Sequence, residues 1–229
     1  RYVLRYTEKY SAQIASALQY IDLSKYPQYH IFSMGCGAAP DLMAFEETTS
    51  GKQIYYKGYD RNSLWAGIHS GIEKYAENTD YIEAKLRQRD IFDVFVEGKP
   101  HNQQYNIVVI QYLLSHLYNI GQEHRIGLLF DYIISNILAK RLANSPFLII
   151  ITDIDSRYKG RNNWYILLDK LEDAGYLGTA YAKSAFPTGD LGQDRWSQHK
   201  MSPHFGNIVY KYFQNVFESE GAQLIIEVR

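Results

Sequence analysis

A glycine-rich stretch near the start of the chain, SMGCGAAPDL at residues 33–42, has the composition of a turn that receives a ligand. Gly35 and Gly37 have no side chains, so the backbone there can adopt positive φ and a ligand can approach it closely. Pro40 suits the first turn of a helix, and Asp41 favours the positive amino end of that helix. Unpaired N–H groups at a helix start suit an anion such as a carboxylate. The stretch therefore predicts a binding turn, with a plain strand-to-helix connection as the alternative.

Two carboxylates follow later segments that have the pattern of strands. Asp60 ends KQIYYKGYD, 23 positions after Gly37, and Asp90 lies in RQRDIFD. In an open α/β sheet ligands bind beyond the carboxyl ends of the strands, so both side chains are candidate ligand contacts. The alternatives are a solvated strand end for Asp60 and a helix cap for Asp90.

The elements that must position these residues alternate along the chain. Apolar runs predict strands and 3.6-residue periodicity predicts helices. The alternation indicates βαβ units and a largely parallel sheet. Strands are predicted at 29–34, 52–60, 81–90, within 104–114, at 146–155, and late in the chain at 176–186, 206–217 and 222–229. Helices are predicted at 4–22, 39–48, 63–79, 124–144 and 163–176.

Composition limits the class of protein. The chain has 229 residues, is 46% hydrophobic and 21% charged, and carries a net charge of −1, which does not attract nucleic acid or membrane as a whole. No apolar run approaches the about 18 residues of a membrane span. The single cysteine, Cys36, fits a reducing compartment. We therefore expect a cytoplasmic protein that does not bind membranes, with one domain over 1–229 that begins with a helix over 1–25.

The run HIFSMGCGAAPDL followed by YYKGYDRN resembles class I S-adenosylmethionine-dependent methyltransferases. That family has a GxGxG-like turn after its first strand and an acidic residue at the end of its second. It often has another acidic residue after the third strand and a hydrophobic fourth strand leading into the site. Here those positions read Gly35 and Gly37, Asp60, Asp90 and IVVIQYLLSHL. The resemblance, which covers roughly 29–177, implies a doubly wound, mostly parallel Rossmann-like sheet of about seven strands with helices on both faces.

The resemblance also implies S-adenosylmethionine as cofactor. Asp60 is then expected to accept from the ribose hydroxyls, Asp90 from the adenine amino group, and Ile91 to supply an apolar wall. Ser33 stands where the family usually has an acidic residue for the cofactor's ammonium, and Asp41 is the candidate substitute. The expected cofactor-binding residues are Gly35, Cys36, Gly37, Asp41, Asp60, Arg61, Asp90, Ile91 and Gln111.

For the methyl acceptor, the resemblance points to the residues that follow the fourth strand. That segment lacks the Asp/Asn-Pro-Pro-Tyr/Phe motif common in amino methyltransferases of DNA bases, which argues against that subclass. The expected acceptor is a small molecule or RNA. Basic and aromatic residues after the fifth strand and in the late loop fit an anionic, stackable acceptor. The loop 187–205 is a predicted cover over the acceptor. The expected substrate-binding residues are Tyr112, His116, Arg157 and Trp196; no catalytic base is assigned.

Other interpretations stay open. A nicotinamide-dependent oxidoreductase would use the same turn and Asp60, although Pro40 replaces the third glycine of its fingerprint. A non-catalytic methyltransferase-like binding or scaffold protein is consistent with Ser33 and with the lack of an evident catalytic group. No metal site is expected, because His199 and His204 match no strong ligand spacing. We interpret Cys36 as a small apolar filler rather than a nucleophile.

Overall fold

The computed structural model describes residues 2–49, 51–96, 104–142, 145–154, 159, 163–184 and 221–229. Within them seven strands form one sheet with helices on both sides, which confirms the predicted α/β, Rossmann-like class. The strands are β1 (Tyr29–Met34), β2 (Ile54–Asp60), β3 (Ile82–Gln88), β4 (Ile107–Gln111), β5 (Phe147–Ile154), β6 (Gly178–Ser184) and β7 (Gly221–Val228).

The strand order is β3-β2-β1-β4-β5-β7-β6. β1 pairs with β2, and β2 with β3, in parallel, so their carboxyl ends share one edge of the sheet. β7 is antiparallel to both of its neighbours, β5 and β6. The fully parallel order of dinucleotide-binding folds, 3-2-1-4-5-6, has no such inserted strand. The topology therefore departs from the nicotinamide-binding alternative at its last strand.

Seven α-helices lie among the described residues. They are α1 (Tyr2–Leu18), α2 (Pro40–Thr48), α3 (Ala66–Glu77), α4 (Ile91–Val96), α5 (Leu113–Asn119), α6 (Ile126–Tyr132) and α7 (Trp164–Asp173). α1 was expected to be amphipathic, yet every residue from 11 to 18 is buried. Alanines and serines make up most of that segment, and small side chains let α1 pack closely against α2.

Two sequence predictions differ from the structure in the middle of the chain. The single helix expected at 124–144 is α6, then a π-helical turn at Ile133–Ile137 and a 3-10 turn at Leu138–Lys140. Ile133, Ile134 and Ile137 are all buried in the π turn. Helices α4 and α5 were not predicted. The expected strand at 206–217 lies outside the described residues.

Two compact units divide the chain. The first takes its described residues from Arg1–Lys99 and Ile107–Val109, and the second from Pro100–Asn106, Ile110–His204 and Phe217–Arg229. In the second unit β5 is buried from Phe147 to Asp153, as expected for a central strand. A single domain over the whole chain stays a prediction. No helix in the described part of the chain is long and apolar enough to cross a membrane.

Candidate functional site

The turn after β1 has the backbone conformation that its glycines predict. Gly35 and Gly37 have φ of 67° and 51°, in the left-handed region that glycine adopts without strain. Ala39 also lies there, at φ 51° and ψ 50°, directly before Pro40 opens α2. A left-handed alanine costs about 1–2 kcal/mol, a strain often found at ligand-binding sites.

Asp60 at the end of β2 binds this turn directly. Its Oδ2 accepts the Gly37 N–H at 2.9 Å, and its Oδ1 accepts the Asn62 N–H at 2.8 Å. A carboxylate has about four lone-pair sites, so each oxygen keeps one for a further donor. The half-buried Asp60 thus joins the ends of β1 and β2 and retains acceptor capacity.

Cys36 points into the protein and packs under the turn. An ideal Cβ at Gly58 would lie 2.8 Å from the Cys36 Sγ, so only glycine fits at that position of β2. Burial raises the pKa of the Cys36 thiol well above its ordinary value, and the nearby Asp41 and Asp60 carboxylates raise it further. A buried, protonated thiol agrees with the predicted filler role. Direct contact of Cys36 with a cofactor stays a prediction.

Two residues that sequence reasoning missed surround Gly37. The buried His69 on α3 places its Nε2 2.7 Å from the Gly37 carbonyl oxygen. On another side of Gly37, the Trp65 ring lies at van der Waals distance from an ideal Cβ built on Gly37, with Cζ2 at 3.8 Å. A side chain at position 37 would therefore meet Trp65 first. Neither residue has a motif; the one signal was a histidine inside the predicted helix that follows Asp60.

Asp41 is buried at the start of α2. The Tyr56 hydroxyl donates to its Oδ1 at 2.9 Å, and no described residue donates to its buried Oδ2. Burial raises the pKa of Asp41, and hydrogen bonds from Ser33 and Tyr56 oppose that rise. The acidic group absent at Ser33 is thus present nearby on α2. Its contact with an ammonium stays a prediction.

The third acidic candidate caps a helix. Asp90 accepts the Phe92 N–H on its Oδ1 at 2.9 Å at the start of α4, and its Oδ2 lies 3.7 Å from the Arg61 guanidinium. The helix-cap alternative is therefore present in the structure, and it leaves the adenine role of Asp90 a prediction. Ile91 and Phe92 are both buried beside it. Arg61 is brought to Asp90 rather than to the glycine turn.

In the second unit, the end of β4 carries one cofactor candidate and two acceptor candidates. Gln111, expected at the cofactor, ends the strand, and Tyr112, directly before α5, has φ 55°, a conformation rare for a tyrosine. The Tyr112 N–H donates to the Thr152 carbonyl at 2.8 Å. His116 is exposed on α5. The roles of Tyr112 and His116 in substrate binding, and of Gln111 in cofactor binding, stay predictions.

A buried carboxylate on β5 supports α5 from below. Asp153 accepts the Ser115 N–H on Oδ2 at 3.1 Å and the Ile154 N–H on Oδ1 at 2.7 Å. Burial raises the pKa of Asp153 to about 6, and the hydrogen bonds from Ser115 partly oppose this. Arg157, Trp196 and the loop 187–205 lie outside the described residues. Across the residues that are described, no group of three His, Cys, Asp or Glu side chains is arranged to hold a metal.

No protein-family profile matches the chain, and no curated protein matches it by sequence. Solved structures do match it. The plantazolicin methyltransferase BpumL in complex with SAH is 12% identical, with 100% of this chain and 88% of that chain covered and a TM-score of 0.59. A SAM-dependent methyltransferase from Archaeoglobus fulgidus is 15% identical over 99% of this chain and 100% of that one, with a TM-score of 0.53. Geranyl diphosphate methyltransferase in complex with SAM is 10% identical over 95% and 84%, with a TM-score of 0.50.

At this level of identity the likeness establishes the fold. The chain has the Rossmann-like fold of class I S-adenosylmethionine-dependent methyltransferases, as the glycine turn, the two strand-end carboxylates and the apolar fourth strand predicted.

Proposed function

We propose that the chain is an S-adenosylmethionine-dependent methyltransferase acting on a small-molecule acceptor. The observation that carries the proposal is the link between Asp60 and the glycine turn, 2.9 Å from Oδ2 to the Gly37 nitrogen. This link places a carboxylate with spare lone pairs beside Gly37, whose backbone carries no side chain. A ribose and an amino acid carboxylate are complementary to that pair of surfaces.

The residues present fit the cofactor at three points. Asp60 retains one acceptor site on each oxygen for the adjacent ribose hydroxyls. The Ala38 N–H of the turn, for which no described residue is an acceptor, is a donor for a carboxylate, and the positive amino end of the nine-residue α2 attracts an anion. The buried Oδ2 of Asp41, which no described residue satisfies, matches a group that brings an ammonium.

The bound cofactor supplies an activated methyl group on a sulfonium, and the protein supplies position and a dry environment. Asp60, the turn and Asp41 orient the two ends of the ligand, which fixes the position of the methyl between them. We assign Tyr112 and His116 to the acceptor, because they follow β4 at the carboxyl end of a strand, and Gln111, the last residue of β4, to the cofactor. The strained backbone of Tyr112 supports this assignment.

A small-molecule acceptor is supported by the matched structures, which include a plantazolicin methyltransferase and a geranyl diphosphate methyltransferase. RNA is the second acceptor class, and it rests only on the basic composition around Arg157 and Trp196. A non-catalytic cofactor-binding protein is the alternative outside enzymes, and turnover with any acceptor excludes it.

Calorimetric titration tests the proposal. The wild-type protein should bind SAH (S-adenosylhomocysteine) and should not bind NAD. Asp60→Ala should weaken SAH binding by at least about tenfold, because a hydrogen bond to a charged group is worth about 1.5–3 kcal/mol. Asp80→Ala, an exposed acid before β3, is the matched control and should bind like wild type. Wild-type affinity in the Asp60 variant would contradict the assignment.

A further inference from the structure

The Gly37–Ala38 peptide is the central peptide of a tight turn. The Ala39 N–H donates to the Cys36 carbonyl at 2.7 Å, which closes a four-residue turn over residues 36–39. The central peptide of such a turn can face either way, and the two orientations define different turn types. Gly37 at the second position has positive φ, and at that φ the opposite orientation would also need positive φ at Ala38, which Ala38 does not have. The alanine therefore favours the observed orientation, and a side chain outside the turn can hold it further.

His69 holds this orientation from outside the turn. Its Nε2 lies 2.7 Å from the Gly37 oxygen, and because a carbonyl only accepts, Nε2 carries the proton and donates. His69 is only 5% exposed and is held on α3, so the anchor comes from a rigid element. On the preceding peptide the Gly37 N–H is held by Asp60. Both peptides that flank Gly37 are thus fixed by side chains.

The carbonyl and the N–H of a trans peptide point in opposite directions. When His69 holds the Gly37 oxygen on its own side, the Ala38 N–H is aimed away from His69. No described residue accepts that N–H, although Ala38 is only 8% exposed. Backbone donors in a largely buried residue are usually paired, so a donor with no acceptor among the described residues is a candidate contact for a ligand.

We propose that His69 is a positioning residue for the cofactor: by holding the Gly37 carbonyl it aims the Ala38 N–H at the carboxylate of the cofactor's amino acid end. This inference rests on the proposed function. It adds a specific donor, Ala38 N–H, and the side chain that orients it.

A pair of ligands separates this role from general support of the fold. SAH has the amino acid carboxylate, whereas 5′-methylthioadenosine has the same adenosine and a thioether without it. His69→Ala should weaken SAH binding by about ten- to a hundredfold, the range for a hydrogen bond to a charged group. Binding of 5′-methylthioadenosine should change by no more than about twofold, which is a few tenths of a kcal/mol, because this ligand has no carboxylate to accept from the Ala38 N–H.

Conservative variants provide the rescue. The amide nitrogen of His69→Gln can reach the place of Nε2 and should restore most of the SAH affinity, whereas His69→Asn is too short. If His69→Ala does not fold, the SAH affinities of His69→Gln and His69→Asn still test the positioning role. Equal affinities for these two variants contradict the proposal. His124→Ala, an exposed histidine, is the control and should bind SAH like wild type.

A second readout needs no cofactor. Cys36 is the only cysteine of the chain and is buried under the turn, so its alkylation by iodoacetamide at constant pH reports turn opening. Because His69 Nε2 also lies 4.0 Å from the Cys36 Sγ, alanine at position 69 would uncover the sulfur directly, and the test uses the two amide variants instead. His69→Asn should accelerate alkylation, and His69→Gln should not. Equal rates in all three proteins, or equal losses of affinity for both ligands, overturn the positioning role. A wild-type protein that binds no SAH but shows the alkylation difference overturns the proposed function and leaves the anchor established.

Discussion

The Cys36 side chain determines which residue β2 can hold at position 58. An ideal Cβ on Gly58 lies 2.8 Å from Sγ and 2.9 Å from the Tyr56 ring, closer than real Cβ atoms approach. Both neighbours are themselves buried in the first unit, so neither can move aside without disturbing its own packing. The glycine of KGYD is therefore required by packing against the binding turn, not by its own backbone angles.

Gly58→Ala should lower the free energy of unfolding by about 1–3 kcal/mol, the usual range for overpacking a core. Gly71→Ala in α3 is the matched control: nothing lies within 4 Å of its added Cβ, and alanine is about 1 kcal/mol better than glycine in a helix. Urea unfolding measures both. A Gly58→Ala variant as stable as wild type would mean that the Cys36 side chain can adopt another conformation without loss of stability.

At the scale of elements, β5 and α5 are joined by a carboxylate that is costly to ionise. Asp153 has no exposed surface and a pKa of about 6, against 3.8 for the ordinary side chain. Between pH 4 and 6 the folded protein therefore binds more protons than the unfolded chain. By linkage the free energy of unfolding must fall as pH rises through this interval.

Asp153→Asn should remove this pH dependence. The contribution of Asp153 to the free energy of unfolding falls by about 2 kcal/mol from pH 4 to 6.5, and the variant should lack that decline. Urea unfolding at several pH values measures it. The exposed Asp173 on α7 is the control, since Asp173→Asn should keep the wild-type slope. An unchanged slope in the Asp153 variant would show that the carboxyl titrates normally.

Periodicity predicted the elements that bury continuous apolar runs, because that signal is local. β1, β4 and β5 were found on this basis. α5 was missed because Tyr112, the residue before it, takes a left-handed backbone directly after the strand without a glycine or proline to mark the change. The same limit applies to the site. The glycines and Asp60 could be predicted as site residues from their residue types and their positions at strand ends. His69 could not, because it contacts Gly37 across 32 residues through packing that no short sequence pattern records.

At the scale of the whole molecule, a bound cofactor should stabilise the folded chain. A ligand that binds only the native state adds about 2.7 kcal/mol at a concentration of one hundred times its Kd. For a chain of this length that corresponds to a rise in Tm of roughly 5–10 °C. Thermal unfolding with and without SAH measures the shift, with NAD as the control ligand. No shift at saturating SAH would contradict cofactor binding by the native protein.

The antiparallel strand β7 has a consequence for how the chain is made. It lies between β5 and β6, yet it is synthesised after both of them. While a ribosome is still adding the residues between Ser184 and Gly221, β6 has no partner among the described strands and one edge of β5 is open. These strands can close the sheet only after β7 has left the exit tunnel. Until that moment an apolar strand edge is exposed to chaperones.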